Sequence, residues 1–132
     1  MTNDAIRDYC LSLPHATEVV QWGDHLLFKV GGKMFAIIEM DGHSCTFKCS
    51  PEKYAELVEM ADIVPASHNM WKYQWVTTET LTALPEAEFR ELLTESYRVV
   101  RGTLPRKVQA ALDARDARAA GRRTTRLKPP RR

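Results

Sequence analysis

Few stretches of this sequence hold side chains whose type and spacing could do chemistry. "VGGKM" (30–34) places Gly32-Lys33 as a phosphate-binding loop would. Such a loop also needs a glycine five residues before Gly32, a Ser or Thr after the lysine, and a helix to follow. Here Leu27 and Met34 stand at those positions, and the next residues alternate like a strand, so phosphate-loop chemistry is excluded. His43, Cys45 and Cys49 could each ligate a metal, but one extended strand does not wrap a tetrahedral ion. The cysteines read instead as small packing residues. Cys10 falls on a helical stripe, and no G-x-S-x-G elbow is present. His15 and His25 read as surface residues in turns. Asp24-His25 and Asp41-x-His43 are acid–histidine neighbours without a partnered nucleophile, and Glu86/Glu88 suit a helix N-terminus. These residues define no catalytic constellation, so the expectation is a protein that is not an enzyme and uses neither metal nor cofactor.

The densest aromatic run is "PASHNMWKYQWVT" (65–77). Read as a strand, "WKYQWV" puts Trp71, Tyr73 and Trp75 on one face and Lys72, Gln74 and Val76 on the other. Aromatic residues bury large areas and favour strands, which points to core. The alternative is a base-stacking platform. The core reading, with Trp75 buried, is preferred because the surrounding body is acidic.

The elements that would position these residues are legible from periodicity. Ile6, Tyr9, Cys10 and Leu13 form a helical stripe that Thr2 or Asn3 can cap and Pro14 ends. From Glu18 to Cys49 the period changes to two. "EVVQWG" (18–23) suits an edge strand, and "LLFKV" (26–30) aligns Leu26, Phe28 and Val30. "KMFAIIE" (33–39) aligns Phe35 with Ile37, and Gly31-Gly32 suits the tight turn between these two strands. "SCTFKC" (44–49) aligns Cys45, Phe47 and Cys49. An odd loop with a left-handed Gly42 would bring Phe35 and Ile37 to the same face as Phe47 and Cys49. Leu27, Met34, Ala36 and Ile38 would then lie on the other face with the lysines.

Ser50-Pro51-Glu52 opens a second helix with Tyr54, Leu57, Val58 and Ala61 as its stripe. "IVPAS" reads as an irregular connection. Pro85, at the first helical position, opens a third helix burying Phe89, Leu92, Leu93, Ser96, Tyr97 and Val100. Beyond Pro105 an Ala- and Arg-rich segment suits a marginal helix ending at Gly121. "RRTTRLKPPRR" is expected to be disordered.

The 132 residues, 44% apolar and 27% charged, suit one soluble α+β domain. The N-terminus reads as neither signal peptide nor membrane span, so a cytoplasmic setting is expected, with its three cysteines reduced. Cys45 and Cys49 on one strand are too far apart to bridge. The net charge of +2 is unevenly spread. Residues 1–100 carry 8 Lys/Arg and 15 Asp/Glu, whereas residues 101–132 carry 11 Lys/Arg and 2 Asp. A body at −7 with a tail at +9 suggests an acidic partner for the tail.

Several motifs occur together in order: "IRDYCLSLPHATEVVQWGDHLLFKVGGKMFAIIEMDG", "FKCSPEKYAEL", "VPASHNMWKYQWVT" and "LPEAEFRELLTESYRVVRGTLPRK". Over about residues 5–107 the chain resembles the MmcQ/YjbR family. The resemblance implies a CyaY-like α+β fold, an antiparallel sheet covered by helices on one face. The domain is set at residues 1–107, and the Ala/Arg-rich helix and disordered basic tail at 108–132 lie past the match. The resemblance also implies a DNA-binding protein in which paired hairpin wings grip a duplex. Carried over by position, the hairpin lysines are Lys29, Lys33 and Lys48, with Lys72 on the last strand. Arg122, Arg123, Arg126 and Lys128 in the basic tail would add phosphate contacts. The expected binding is weak and largely indifferent to sequence. A protein-interaction module using the open face of the sheet is the alternative.

Overall fold

The computed structural model describes residues 1–127, with side chains to residue 117. The chain runs α1 (Asn3–Ser12), β1 (Thr17–Gln21), β2 (His25–Val30), β3 (Lys33–Glu39), β4 (Cys45–Lys48), α2 (Pro51–Leu57), β5 (Ile63–Pro65), a 3-10 turn (Met70–Tyr73), β6 (Trp75–Thr78), α3 (Glu86–Gly102) and α4 (Arg106–Leu127). The six strands form one sheet in the order β1-β2-β3-β4-β6-β5, every pair antiparallel. This is the expected α+β architecture.

The helices start where their caps require. The Thr2 hydroxyl accepts from the Ala5 amide at 3.0 Å, and Ser50 accepts from the Lys53 amide at 3.1 Å, each satisfying a donor that the first turn leaves free. Pro85 is the residue before α3 and not its first turn. The α3 stripe is buried as its spacing requires, from Phe89 to Val100. This helix lies over β3 and β4. There Phe47 meets Phe89 at 6.1 Å and Phe35 meets Tyr97 edge-on at 5.4 Å.

β3 departs from the expected alternation. Lys29 pairs with Met34 but Phe28 pairs with Ala36, leaving Phe35 as a bulged residue. Beyond the bulge, Ala36 and Ile38 join the core beneath the helices, and Ile37 faces the other side opposite Thr46. Ile38 pairs with Cys45, so six residues, 39–44, connect the paired positions of β3 and β4. The parity is even, and Gly42 is not left-handed. The glycine serves close approach instead, because a Cβ there would sit 3.0 Å from the Glu39 side chain. The bulge, not an odd loop, brings Phe35 and Phe47 to one face.

The hydroxyl of Ser96 mends the ladder at the bulge. It donates to the Phe35 carbonyl at 2.6 Å and accepts from the Lys48 amide at 3.0 Å. Gly31 and Gly32 turn the β2–β3 hairpin with φ of 58° and 84°, as that tight turn demands. A Cβ on Gly31 would lie 2.5 Å from Leu104 Cδ1, so the hairpin tip is seated on the junction between α3 and α4.

Four further expectations change. The "IVP" segment pairs as edge strand β5. Ala61 lies past the end of α2 and is exposed. The backbone of α4 continues through Gly121 to Leu127, beyond the expected stop. Residues 128–132, the end of the segment expected to be disordered, lie outside the described residues. α4 docks near its start through buried Leu112 and through Asp113 with Arg101 at 2.8 Å. His15, expected at the surface, is partly buried and bonds Asp116 at 2.6 Å. All three cysteines are free and buried. Burial pushes the Cys10 thiol up to about 12 and Cys49 to about 11, and holds Cys45 well above its ordinary value.

Candidate binding groove on the second face of the sheet

The sheet face turned away from the helices is covered by loops. Across it runs a row made by Val19, Leu27, Ile37, Thr46, Thr77 and Val64, paired strand to strand. Leu27 is 1% exposed and Ile37 6%, so this face is largely closed too. Two irregular segments provide part of that cover: the β1–β2 turn with Trp22, and the stretch from Ala66 to the 3-10 turn. Between them lies a groove of about 590 Å³. Met34, Ile37, Thr46 and Thr77 form its floor; Trp22 and His25 stand on one side, and Ala66, Ser67, His68 and Met70 on the other.

The aromatic run is split by this arrangement. "MWKY" is a 3-10 turn, and β6 begins only at Trp75. Trp71 and Tyr73 are therefore 46% and 65% exposed instead of sharing a strand face with Trp75. Trp75 is buried as expected, but it pairs with Lys48 on the second face, while Val76 packs among the helix-side core with Phe47. Lys72 belongs to the turn and not to a strand, with its ammonium 5.9 Å from the Trp71 ring. Lys48 lies 5.9 Å from the Tyr73 ring and donates to the Tyr73 carbonyl. Burial lowers its pKa from the ordinary lysine value.

The predicted lysines are partly gathered. Lys29 and Lys48 project from the second face on strands separated by β3, roughly 10 Å apart at two strand spacings. Lys72 lies beyond β4 on the turn bonded by Lys48. Lys33 is exposed next to the hairpin tip. Arg122, Arg123 and Arg126 are on the last turns of α4 by backbone, and Lys128 lies outside the described residues. Glu39, paired with His25, stands at the opposite end of the second face, two rows of side chains from Lys29.

The groove was not anticipated from the sequence. His25 Nδ1 lies 3.0 Å from Asp24 Oδ1 without hydrogen-bond alignment, and the His25 ring meets Trp22 edge-on at 6.0 Å. Ser67 Oγ and His68 Nδ1 are 2.9 Å apart, and the hydroxyls of Thr46 and Thr77 bond at 2.8 Å. Trp22 and His68 both hold a left-handed backbone, with φ of 53° and 58°. Asn69 and Gln74, which flank the 3-10 turn, are left-handed as well. For side chains with a Cβ this conformation costs roughly 1–2 kcal/mol. Among the described residues, no group of three or more His, Cys, Asp or Glu is arranged to hold a metal ion. Nor is any described helix long and apolar enough to cross a membrane.

A family model described as YjbR matches residues 11–99. This chain belongs to the YjbR family. Among solved structures it is similar to the Deinococcus radiodurans protein DR2400, described by its DUF419 domain. That match has 30% identity and a TM-score of 0.77 over 85% of this chain and 88% of the other. A Pseudomonas syringae protein shares the fold at 22% identity and a TM-score of 0.61, over 75% of this chain and 98% of that one. Comparison with curated proteins gives no match.

Proposed function

We propose that this protein binds DNA, weakly and with little sequence preference, through the lysine end of the second sheet face and the basic C-terminal segment. The observation that carries this reading is the grouping of Lys29, Lys48 and Lys72 at one end of a face, with the carboxylates of Glu39 and of Asp24 beside His25 at the other end. The net negative charge of residues 1–100 therefore does not describe this surface. Phosphates contribute most of the affinity of such a binder, and each one neutralised on a duplex steepens the fall of log K with log salt by about 0.9.

Retardation of random duplex DNA over a salt series tests the reading. Replacing Lys29, Lys33 and Lys48 with Gln is expected to weaken binding for all sequences alike and flatten the salt slope by roughly 2–3. Ending the chain at Ala120 removes the six cations of the tail and is expected to flatten it by a similar amount. Binding that ignores both changes excludes these surfaces. A protein partner on the same face is the second reading, favoured by exposed Trp71 and Tyr73 and half-buried Met34 beside the lysines; Leu27, expected there, and Ile37 are closed over. Ala36 and Ile38, expected there, face the helices instead.

A further inference from the structure

We infer that the groove is a pocket for one unpaired base, so that the second face selects single-stranded DNA over duplex; this rests on the DNA-binding reading above. The groove's volume of about 590 Å³ falls within the range of about 300–1,000 Å³ of clefts that take drug-sized ligands, so one base fits with room for its sugar. Its walls suit a heteroaromatic ring. Trp22, 61% exposed and braced edge-on by His25, offers an indole on one side, and Met34, Ile37 and Met70 offer apolar contact. The bonded Thr46–Thr77 hydroxyls and the Ser67–His68 pair supply donors and acceptors at the floor and rim, which the edge of a base can use.

The strain in the chain is concentrated here. Of the five non-glycine residues with positive φ among the described residues, Trp22 and His68 line the groove, and Asn69 and Gln74 bracket the turn beside it. Left-handed residues of this kind cluster at ligand clamps, where the fold holds a side chain in an otherwise unfavourable place.

Charge decides between possible occupants. Lys29 is the strand partner of Met34 in the groove, and Lys48 lies two residues along β4 from Thr46, a step of about 7 Å. Lys72 follows Met70 by two residues. Cations therefore line one margin of an aromatic and apolar slot, and exposed Trp71 and Tyr73 stand beside two of those cations. Phosphates along the margin, one base in the slot and neighbours stacked on Trp71 or Tyr73 is the arrangement single-strand binders use. A duplex keeps its bases stacked inside and would meet only the lysines.

The test is fluorescence anisotropy of the full chain with a labelled oligo-dT and with a duplex of equal length, at low salt. The single strand is expected to bind at least about tenfold tighter. Trp22→Gly and His68→Gly suit the left-handed backbone, so the fold should survive, which circular dichroism checks. Each is expected to lower single-strand affinity about fivefold or more, as loss of a base-stacking contact does, and leave duplex affinity unchanged. Met70→Ala provides a third variant at a position without that strain. Lys48→Gln should weaken both forms alike. Equal affinity for the two forms, or a preference indifferent to all three groove variants, overturns the pocket and leaves the DNA reading standing. Absence of binding to either form at low salt overturns both, and saturable capture of an apolar, basic-poor peptide by the same groove would then identify a protein site.

Discussion

The two faces of the sheet are closed by different means. Beneath the helices, Phe28, Phe35, Phe47 and Phe89 are fully buried, and the polar groups of Ser96 and Thr78 are bonded. On the second face, turns do the covering, left-handed residues hold them there, and a groove remains with aromatic rings and cations at its margin. Regular elements can fill a face with interdigitating side chains at crystal-like density. Turns cover less area per residue, so they leave space, and the chain tolerates strained backbone to keep it. One face supplies stability; the other has the features of a place for a ligand.

That division predicts unequal responses. Phe47→Ala on the helix side is expected to cost about 3–5 kcal/mol, read by denaturant unfolding, because it leaves a cavity among rings that cannot collapse. A loss below about 1 kcal/mol would mean the helix face is no better packed than the groove. The thiols probe the same closure. With Cys49 raised to about 11 from 9.0, its thiolate is roughly 100-fold scarcer than in an ordinary cysteine. No cysteine should react with Ellman's reagent at pH 8 in the native protein, and three should react after denaturation; labelling of the native chain would show that the face opens.

Ser96→Ala is expected to cost about 1–3 kcal/mol, since it leaves the Phe35 carbonyl and Lys48 amide without their partner. A change within error would mean that a water replaces the hydroxyl freely. The smallest effect belongs to the other face. Gln74→Gly removes a Cβ from a left-handed residue and should raise stability by up to about 1 kcal/mol, less the added freedom of the unfolded chain. A clear fall in melting temperature would show that Gln74 is held by contacts and is not strained.

What the sequence disclosed follows the same line between regular and irregular structure. The stripes of α1 and α3, the caps at Thr2 and Ser50 and the Gly31-Gly32 turn depend on neighbours a few residues away, and periodicity reports them. "MFAIIE" is apolar at every position from 34 to 38, so it holds no parity, and the bulge at Phe35 depends on Ser96, 61 residues away. "WKYQWV" has strand composition, yet a left-handed Gln74 cuts it in two. Asn69, whose side chain tolerates that conformation, was the available signal for the turn. Trp22 and His68 line one groove only because the sheet places the β1–β2 and β5–β6 connections over one face, which no local pattern encodes. The cysteine environment was legible; the groove was not.

The bulge has a further consequence for how this chain can change length. Register on either side of Phe35 is continuous: remove that residue and Met34 still faces Lys29, while Ala36 still faces Phe28. Phe35 is thus a residue the sheet can gain or lose in a single deletion without any other pair shifting. Such a deletion would empty the core beside Tyr97, and it would strand Ser96, whose hydroxyl would stand beneath a closed ladder with nothing to bridge. A phenylalanine in β3 and a serine in the middle of α3 thus form one structural unit, joined by a single hydrogen bond.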